Sequence, residues 1–160
     1  MIAVIADTHM PKGSRRLPER CAELLGEAEA VLHAGDFFAA PALAEIEALC
    51  PVVHAVHGNV DEPALRSSLP ATLEVELGGR TLAMVHDAGP AQGRLARLRR
   101  RFPAVDAVVF GHSHLPLHEQ EAGFQIFNPG SPTERRRAPR ASMGLLAVDG
   151  GELTFEHVWL

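Results

Sequence analysis

Five short clusters in this 160-residue sequence carry side chains able to hold a metal ion: Asp7-Thr8-His9, Gly35-Asp36, Gly58-Asn59-Val60-Asp61, His86-Asp87 and Gly111-His112-Ser113-His114. Nine histidines stand against two cysteines, so imidazole and carboxylate are the ligands to consider. Cys21 and Cys50 lack zinc-ribbon spacing and are too few for a disulfide scaffold. Asp7, His9, Asp36, Asn59, His86, His112 and His114 supply two carboxylates, four imidazoles and one amide. If one carboxylate bridges, these seven residues give four ligands to each of two ions. Such a mixture suits Mn, Fe, Zn or Ni better than Mg or Ca. In extended backbone, residues two apart point the same way. Asp7 with His9, and His112 with His114, are therefore each expected to face one metal cluster. Gly35, Gly58 and Gly111 allow tight turns and close backbone approach beside the ligands.

The elements between the clusters explain how groups more than a hundred residues apart can meet. Ile2 to Ala6 is an apolar, β-branched run that reads as a buried strand, as do Ala30 to His33 and Val52 to Val56. Helical spacing runs from Leu17 to Ala28 and from Ala42 to Cys50, where Pro51 ends it. The order β-α-β-α-β implies a parallel sheet with right-handed crossovers. Thr72 to Leu77 and Arg80 to His86 flank Gly78-Gly79, a two-residue hairpin turn. Arg94 to Phe102 reads as a helix and Val105 to Phe110 as a buried strand. Two further hairpins follow, Leu117 to Glu121 with Gln125 to Phe127, and Ser142 to Val148 with Glu152 to Val158. Each of the five clusters closes a predicted strand. In open α/β sheets, sites form beyond the carboxyl ends of the strands.

Composition narrows the class. The length and the 46% hydrophobic content fit one globular α/β domain over residues 1–160 with mixed sheets. No apolar run approaches the ~20 residues of a membrane helix, so no membrane association is expected. Twenty acidic against fifteen basic residues speak against stable nucleic-acid binding. The first apolar run is too short for a signal-peptide core and no basic region precedes it, which points to the cytoplasm.

The five clusters, in this order, resemble the calcineurin-like metallophosphoesterases, whose pattern is D-x-H, G-D, G-N-x-[DE], H and G-H-x-H. The short length and the later Asn128-Pro129-Gly130-Ser131 resemble the small bacterial and archaeal phosphodiesterase branch. That branch also includes the retromer-type scaffold subunit of eukaryotes. The resemblance covers residues 2 to about 158. It implies a four-layer αββα sandwich of two mixed β-sheets flanked by helices, with a dinuclear metal site at one edge of the sheets.

Carried over cluster by cluster, the resemblance places Asp7, His9, Asp36 and His114 on one ion. Asp36, Asn59, His86 and His112 would hold the other, with Asp36 bridging, and these four form the expected catalytic set. The ions implied are divalent transition metals, Mn2+ first, with Ni2+, Fe2+ or Zn2+ as alternatives, about 3.5–4 Å apart. The expected reaction is in-line attack of metal-bound hydroxide on a phosphodiester of a small molecule or nucleotide. Phosphomonoesterase or nucleotide pyrophosphatase activity is the alternative within enzymes. A non-catalytic scaffold subunit of the retromer type is the alternative of another class. A homo-oligomer is compatible with the resemblance.

Two departures from the family pattern stand out. Much of the superfamily has histidine at the x of G-N-x-[DE], where it assists the leaving group; here the residue is Val60. General acid catalysis contributes ~10²–10⁴-fold, so activated leaving groups such as aryl phosphodiesters are expected to be preferred, with His57 or Asp61 as stand-ins. Relatives often carry a second histidine two positions after His86, where this chain has Ala88. His33, His57 and Asp61 are candidates to support the ligands by hydrogen bonding; packing and turn chemistry are their plainer roles. Asn128-Pro129-Gly130-Ser131 is turn-forming whatever else it does, and direct substrate contact is the sharper alternative. The arginines at 94, 97, 99, 100 and 101, and at 135, 136, 137 and 140, are a solvated face or a steering surface for a phosphodiester.

Overall fold

A computed structural model describes all 160 residues. In chain order the elements are β1 (Ile2–Ile5), α1 (Glu19–Glu27), β2 (Ala30–His33), α2 (Ala40–Leu49), β3 (Val53–Ala55), α3 (Pro63–Ser68) and β4 (Thr72–Leu77). They continue with β5 (Arg80–Val85), α4 (Arg94–Arg101), β6 (Ala107–Phe110), β7 (Leu117–Glu121), β8 (Phe124–Asn128), β9 (Ser142–Asp149) and β10 (Glu152–Trp159).

The strands form two five-stranded mixed sheets, ordered β10-β9-β1-β2-β3 and β4-β5-β6-β8-β7. In the first, β1, β2 and β3 are parallel, as the β-α-β-α-β order implies, and β9 and β10 add an antiparallel edge. In the second, β5, β6 and β8 are parallel, flanked by antiparallel β4 and β7.

Strand alternation builds the layers. On β1, Ile2 and Val4 face the other sheet, while Ala3 and Ile5 face α1 and α2 through Leu25 and Ile46. On β5 and β6, Leu82, Met84, Ala107 and Val109 point into the same central core as Val4 and Leu32. Ala83, Val85, Val108 and Phe110 pack outward with Leu98 of α4. The result is four layers, helices–sheet–sheet–helix. Because both faces of the central strands are covered, they read as unbroken apolar runs rather than alternating ones.

Several boundaries differ from the sequence reading. The first helix starts at Glu19, because Pro18 with φ −55° and ψ 144° lies outside the helical region. The second starts earlier, at Ala40, with Pro41 in its first turn, where the missing N–H costs no bond. The six-residue α3 was not predicted. It buries Leu65 against the α1 and α2 layer, but two turns are too few for a periodic pattern. No helix is long and apolar enough to cross a membrane.

Candidate metal centre

The carboxyl ends of β1, β2, β5 and β6, with the loop after β3, meet at one edge of the sandwich. They bring two groups of ligand atoms together. Asp7, His9 and His114 form one group, and Asp36, His86 and His112 the other, with the atoms of each group within 4.8 Å of one another. Asp36 joins them: its Oδ2 lies 3.6 Å from His9 Nε2 and 3.1 Å from His86 Nε2. Asn59 Oδ1 completes the second group, 3.1 Å from His86 Nε2 and 3.0 Å from His112 Nδ1. All seven residues singled out in the sequence therefore converge.

The reason given above for their pairing does not hold. Asp7, His9, Asp36, His112 and His114 have φ between 46° and 69°, in the left-handed region rather than extended. Asp7 and His9 nevertheless share a group, while His112 and His114 fall in different ones. Asp, Asn and His tolerate this region better than most residues, and such strain clusters at functional sites.

Backbone groups set the tautomers. His86 Nδ1 donates to Ala34 O at 2.8 Å, and His114 Nδ1 donates to Glu134 O at 2.6 Å. Nε2 is then the nitrogen that each ring turns to the site, the one free to bind a metal once any proton on it has left. Asp7 Oδ2, His9 Nε2 and His114 Nε2 are buried and have no hydrogen-bond partner. Orphaned buried polar atoms are rare in native proteins. The two imidazole nitrogens lie 3.9 and 3.4 Å from Asp7 Oδ1 and fit a bound cation, so the residues present suit the metal that the sequence implies.

Electrostatics follow from burial and mutual proximity. Burial pushes the Asp7 carboxyl up to about 8, with His86 opposing and the Asp36 charge adding to the rise. Burial works against the charge of Asp36 too, but the hydrogen bond and charge of His86, with the Val60 N–H, hold it down at about 2. Burial likewise opposes charge on His86, yet Asp36 and Asp7 raise it to about 9. His114 is lowered by burial to about 4, and His9 is lowered by burial as well.

The supporting residues divide. His33 is fully buried, stacked on Phe37 at 3.5 Å. Gly35 N–H donates to its Nδ1 at 3.2 Å, which leaves Nε2–H for Thr8 Oγ1 at 3.1 Å. It thus ties the Asp7 loop to the Asp36 loop. Asp61 accepts from the N–H groups of Asp36 and Gly58 with Oδ2, at 3.1 and 2.7 Å, and of Phe38 with Oδ1, at 2.7 Å. Both its oxygens are engaged, so it is a clasp between two ligand loops and not a stand-in acid. The His57 ring hydrogen-bonds only Gly58 O, at 3.3 Å, and none of the seven.

Asn128 and Ser131 are buried, which removes the alternative of substrate contact. Asn128 Nδ2 donates to Gly111 O at 2.8 Å, and Ser131 Oγ donates to Asp7 O at 2.8 Å. Thr133 Oγ1 donates to Thr8 O at 2.7 Å. The sequence reading missed Thr133, and also the carbonyls of Ala34 and Glu134, because a backbone acceptor leaves no mark in residue type. Two glycines are steric requirements. A Cβ at Gly58 would lie 2.0 Å from Asp36 Oδ1, and one at Gly111 would lie 2.8 Å from Asp7 Oδ2.

The fold and the candidate ligand set together define an α/β sandwich with a candidate metal centre at one edge. The sequence matches the calcineurin-like phosphoesterase superfamily domain over residues 1–151. A probable metallophosphoesterase of Methanothermobacter thermautotrophicus is 31% identical over 160 residues, covering 99% of this chain and 91% of that relative. Vps29 of Entamoeba histolytica complexed with zinc superposes with a TM-score of 0.79 at 24% identity, over 99% of this chain and 98% of that one. An archaeal phosphodiesterase superposes with a TM-score of 0.77 at 19% identity, over 99% of both chains. The chain belongs to the calcineurin-like phosphoesterase superfamily, and it is a metal-dependent phosphoester hydrolase.

Proposed function

We propose that the chain is a dinuclear phosphodiesterase acting as one domain in the cytoplasm. Asp7, His9 and His114 hold one divalent ion. Asn59, His86 and His112 hold the other, and Asp36 is shared. The observation that carries this reading is the position of Asp36 Oδ2, within 3.6 Å of an imidazole from each group. Manganese is the ion we favour, from the imidazole and carboxylate donor set. Bound ions of this kind acidify a water and neutralise phosphate oxygens. The chain's own residues do the rest. Ala34 and Glu134 fix the rings of His86 and His114 through Nδ1. Val60 N–H steadies Asp36 Oδ1 at 3.0 Å, and the exposed His112 stands at the mouth.

Val60 offers no proton, and Asp61 is occupied by backbone donors. Diesters whose leaving group needs no protonation are therefore the favoured substrates. The test is metal analysis of the purified protein, followed by turnover of aryl and alkyl phosphodiesters with added Mn2+. Two bound ions and preference for the aryl diester support the reading. Faster turnover of a phosphomonoester favours the monoesterase alternative. The scaffold alternative has a specific observation behind it, since a Vps29 of this fold is described with zinc bound. Bound metal alone does not separate the two; two tightly held ions without turnover of any phosphoester would favour the scaffold.

A further inference from the structure

A cleft of about 280 Å3 adjoins the metal centre and shares Asn59 and His86 with it. Its lining includes two guanidiniums, Arg66 in the last turn of α3 and Arg101 at the end of α4. No carboxylate neutralises either, since the arginine ion pairs of the chain are Arg15–Glu134, Arg20–Glu23 and Arg80–Asp106. Arg101 is steadied over the Phe102 ring at 5.0 Å, with Thr72 Oγ1 at 3.4 Å. Other arginines of α4 have different work. Arg94 and Arg97 donate to the carbonyls of Gly89, Ala88 and Pro90 and so brace the loop after β5. Arg99 donates to Glu121 O. Asp87 is the one carboxylate on the cleft wall, and its Oδ1 already accepts the Gly89 N–H.

We propose that Arg66 and Arg101 bind a second phosphate of the substrate, next to the scissile phosphate held at the metal centre. The proposal rests on the phosphoesterase reading of that centre and narrows its substrate class to compounds carrying two phosphates. Guanidinium forks match phosphate oxygens geometrically and charge for charge. Two unpaired forks in a cleft that shares two ligand residues with the metal site supply recognition the metals cannot, because the metals are engaged by the scissile group. A pair of cations at helix C-terminal ends also complements the helix dipoles, but that role does not require both to line one cleft.

Binding tests the proposal without turnover. Thymidine 3′,5′-bisphosphate and thymidine 5′-monophosphate are titrated calorimetrically into the protein in the presence of Mn2+. The bisphosphate is expected to bind about tenfold or more tightly, the gain of one charge-assisted contact. Added salt should erode that preference. The double variant Arg66→Gln/Arg101→Gln is expected to bring the ratio close to one while keeping a native circular dichroism spectrum, since both side chains are exposed. Equal binding of the two nucleotides by the unaltered protein, or a preference that survives in the double variant, overturns the proposal. Turnover of the p-nitrophenyl 5′-esters, with and without the 3′-phosphate, then separates it from the phosphodiesterase reading. A binding preference without turnover supports the arginine assignment and sinks that reading. Turnover at equal kcat/KM for both esters does the reverse.

Discussion

Asp36 is the side chain through which the two ligand groups communicate, because one of its oxygens faces His9 and His86 while the other takes the Val60 N–H. Replacing it with Asn keeps the shape and removes the charge. Asp36→Asn is expected to lose bound metal and activity together, by at least ~10²-fold, measured by metal analysis and diester turnover; full activity would remove Asp36 from the site. The metal-free protein holds protons where ions are to bind, on His86 up to about pH 9 and on Asp7 up to about pH 8. Both groups have raised values, so at pH 7 both carry a proton that an incoming ion must displace. Metal affinity is therefore expected to climb as pH rises toward 9 and to level off above it. Titration in buffers of different ionisation heat should show proton release at pH 7, and its absence would take Asp7 and His86 out of the ligand set. That these seven residues would meet at one edge was legible in the sequence. Their backbone conformation was not, because a left-handed φ at Asp7 or His112 leaves no trace in residue spacing.

Loops, not strands, carry the ligands, and the clasps between loops decide where the ligands stand. Asp61 joins the loop after β3 to the loop after β2 with two N–H bonds and braces its own loop with a third, and His33 joins the loop after β2 to that after β1. Asp61→Asn replaces one acceptor oxygen by a donor that faces backbone N–H groups. It is expected to weaken metal binding ~10–100-fold while the helices and sheets persist, as circular dichroism would record. Unchanged metal affinity would reduce Asp61 to a turn residue. At this scale the strands and hairpins were readable, because apolar runs ended at Gly-Asp and Gly-His and the Gly78-Gly79 turn was explicit. The short α3 and the inward position of Asn128 and Ser131 were not, since both depend on contacts from distant parts of the chain.

The molecule as a whole is a sandwich whose central core ties β1 and β2 to β5, β6 and β8. The two ligand groups draw on both sheets. Asp7, His9 and Asp36 follow strands of one, while His86, His112 and His114 follow strands of the other. An ion held across that edge links the sheets, so metal should stabilise the entire fold and not only the loops. At a metal concentration a hundred times its dissociation constant the gain is about 2.7 kcal/mol, or about 5–10 °C in Tm for a chain of this size. Thermal unfolding with and without a chelator checks this; equal Tm values would mean that the folded chain holds no metal in preference to the unfolded one. The four-layer order followed from the resemblance, and the strand pattern alone would have supported only a mixed α/β domain.

Left-handed backbone at five ligand positions has an evolutionary consequence. The residues placed to hold metal are the ones whose backbone the fold would rather not have. Glycine adopts φ 69° without the steric penalty that histidine bears at 112, and the exposed ring buries little that would be lost. His112→Gly is expected to keep or raise the Tm of the metal-free protein while abolishing the stabilisation that metal brings. In the metal-free chain, activity and thermostability thus pull this loop in opposite directions, and bound metal is what brings them back into line.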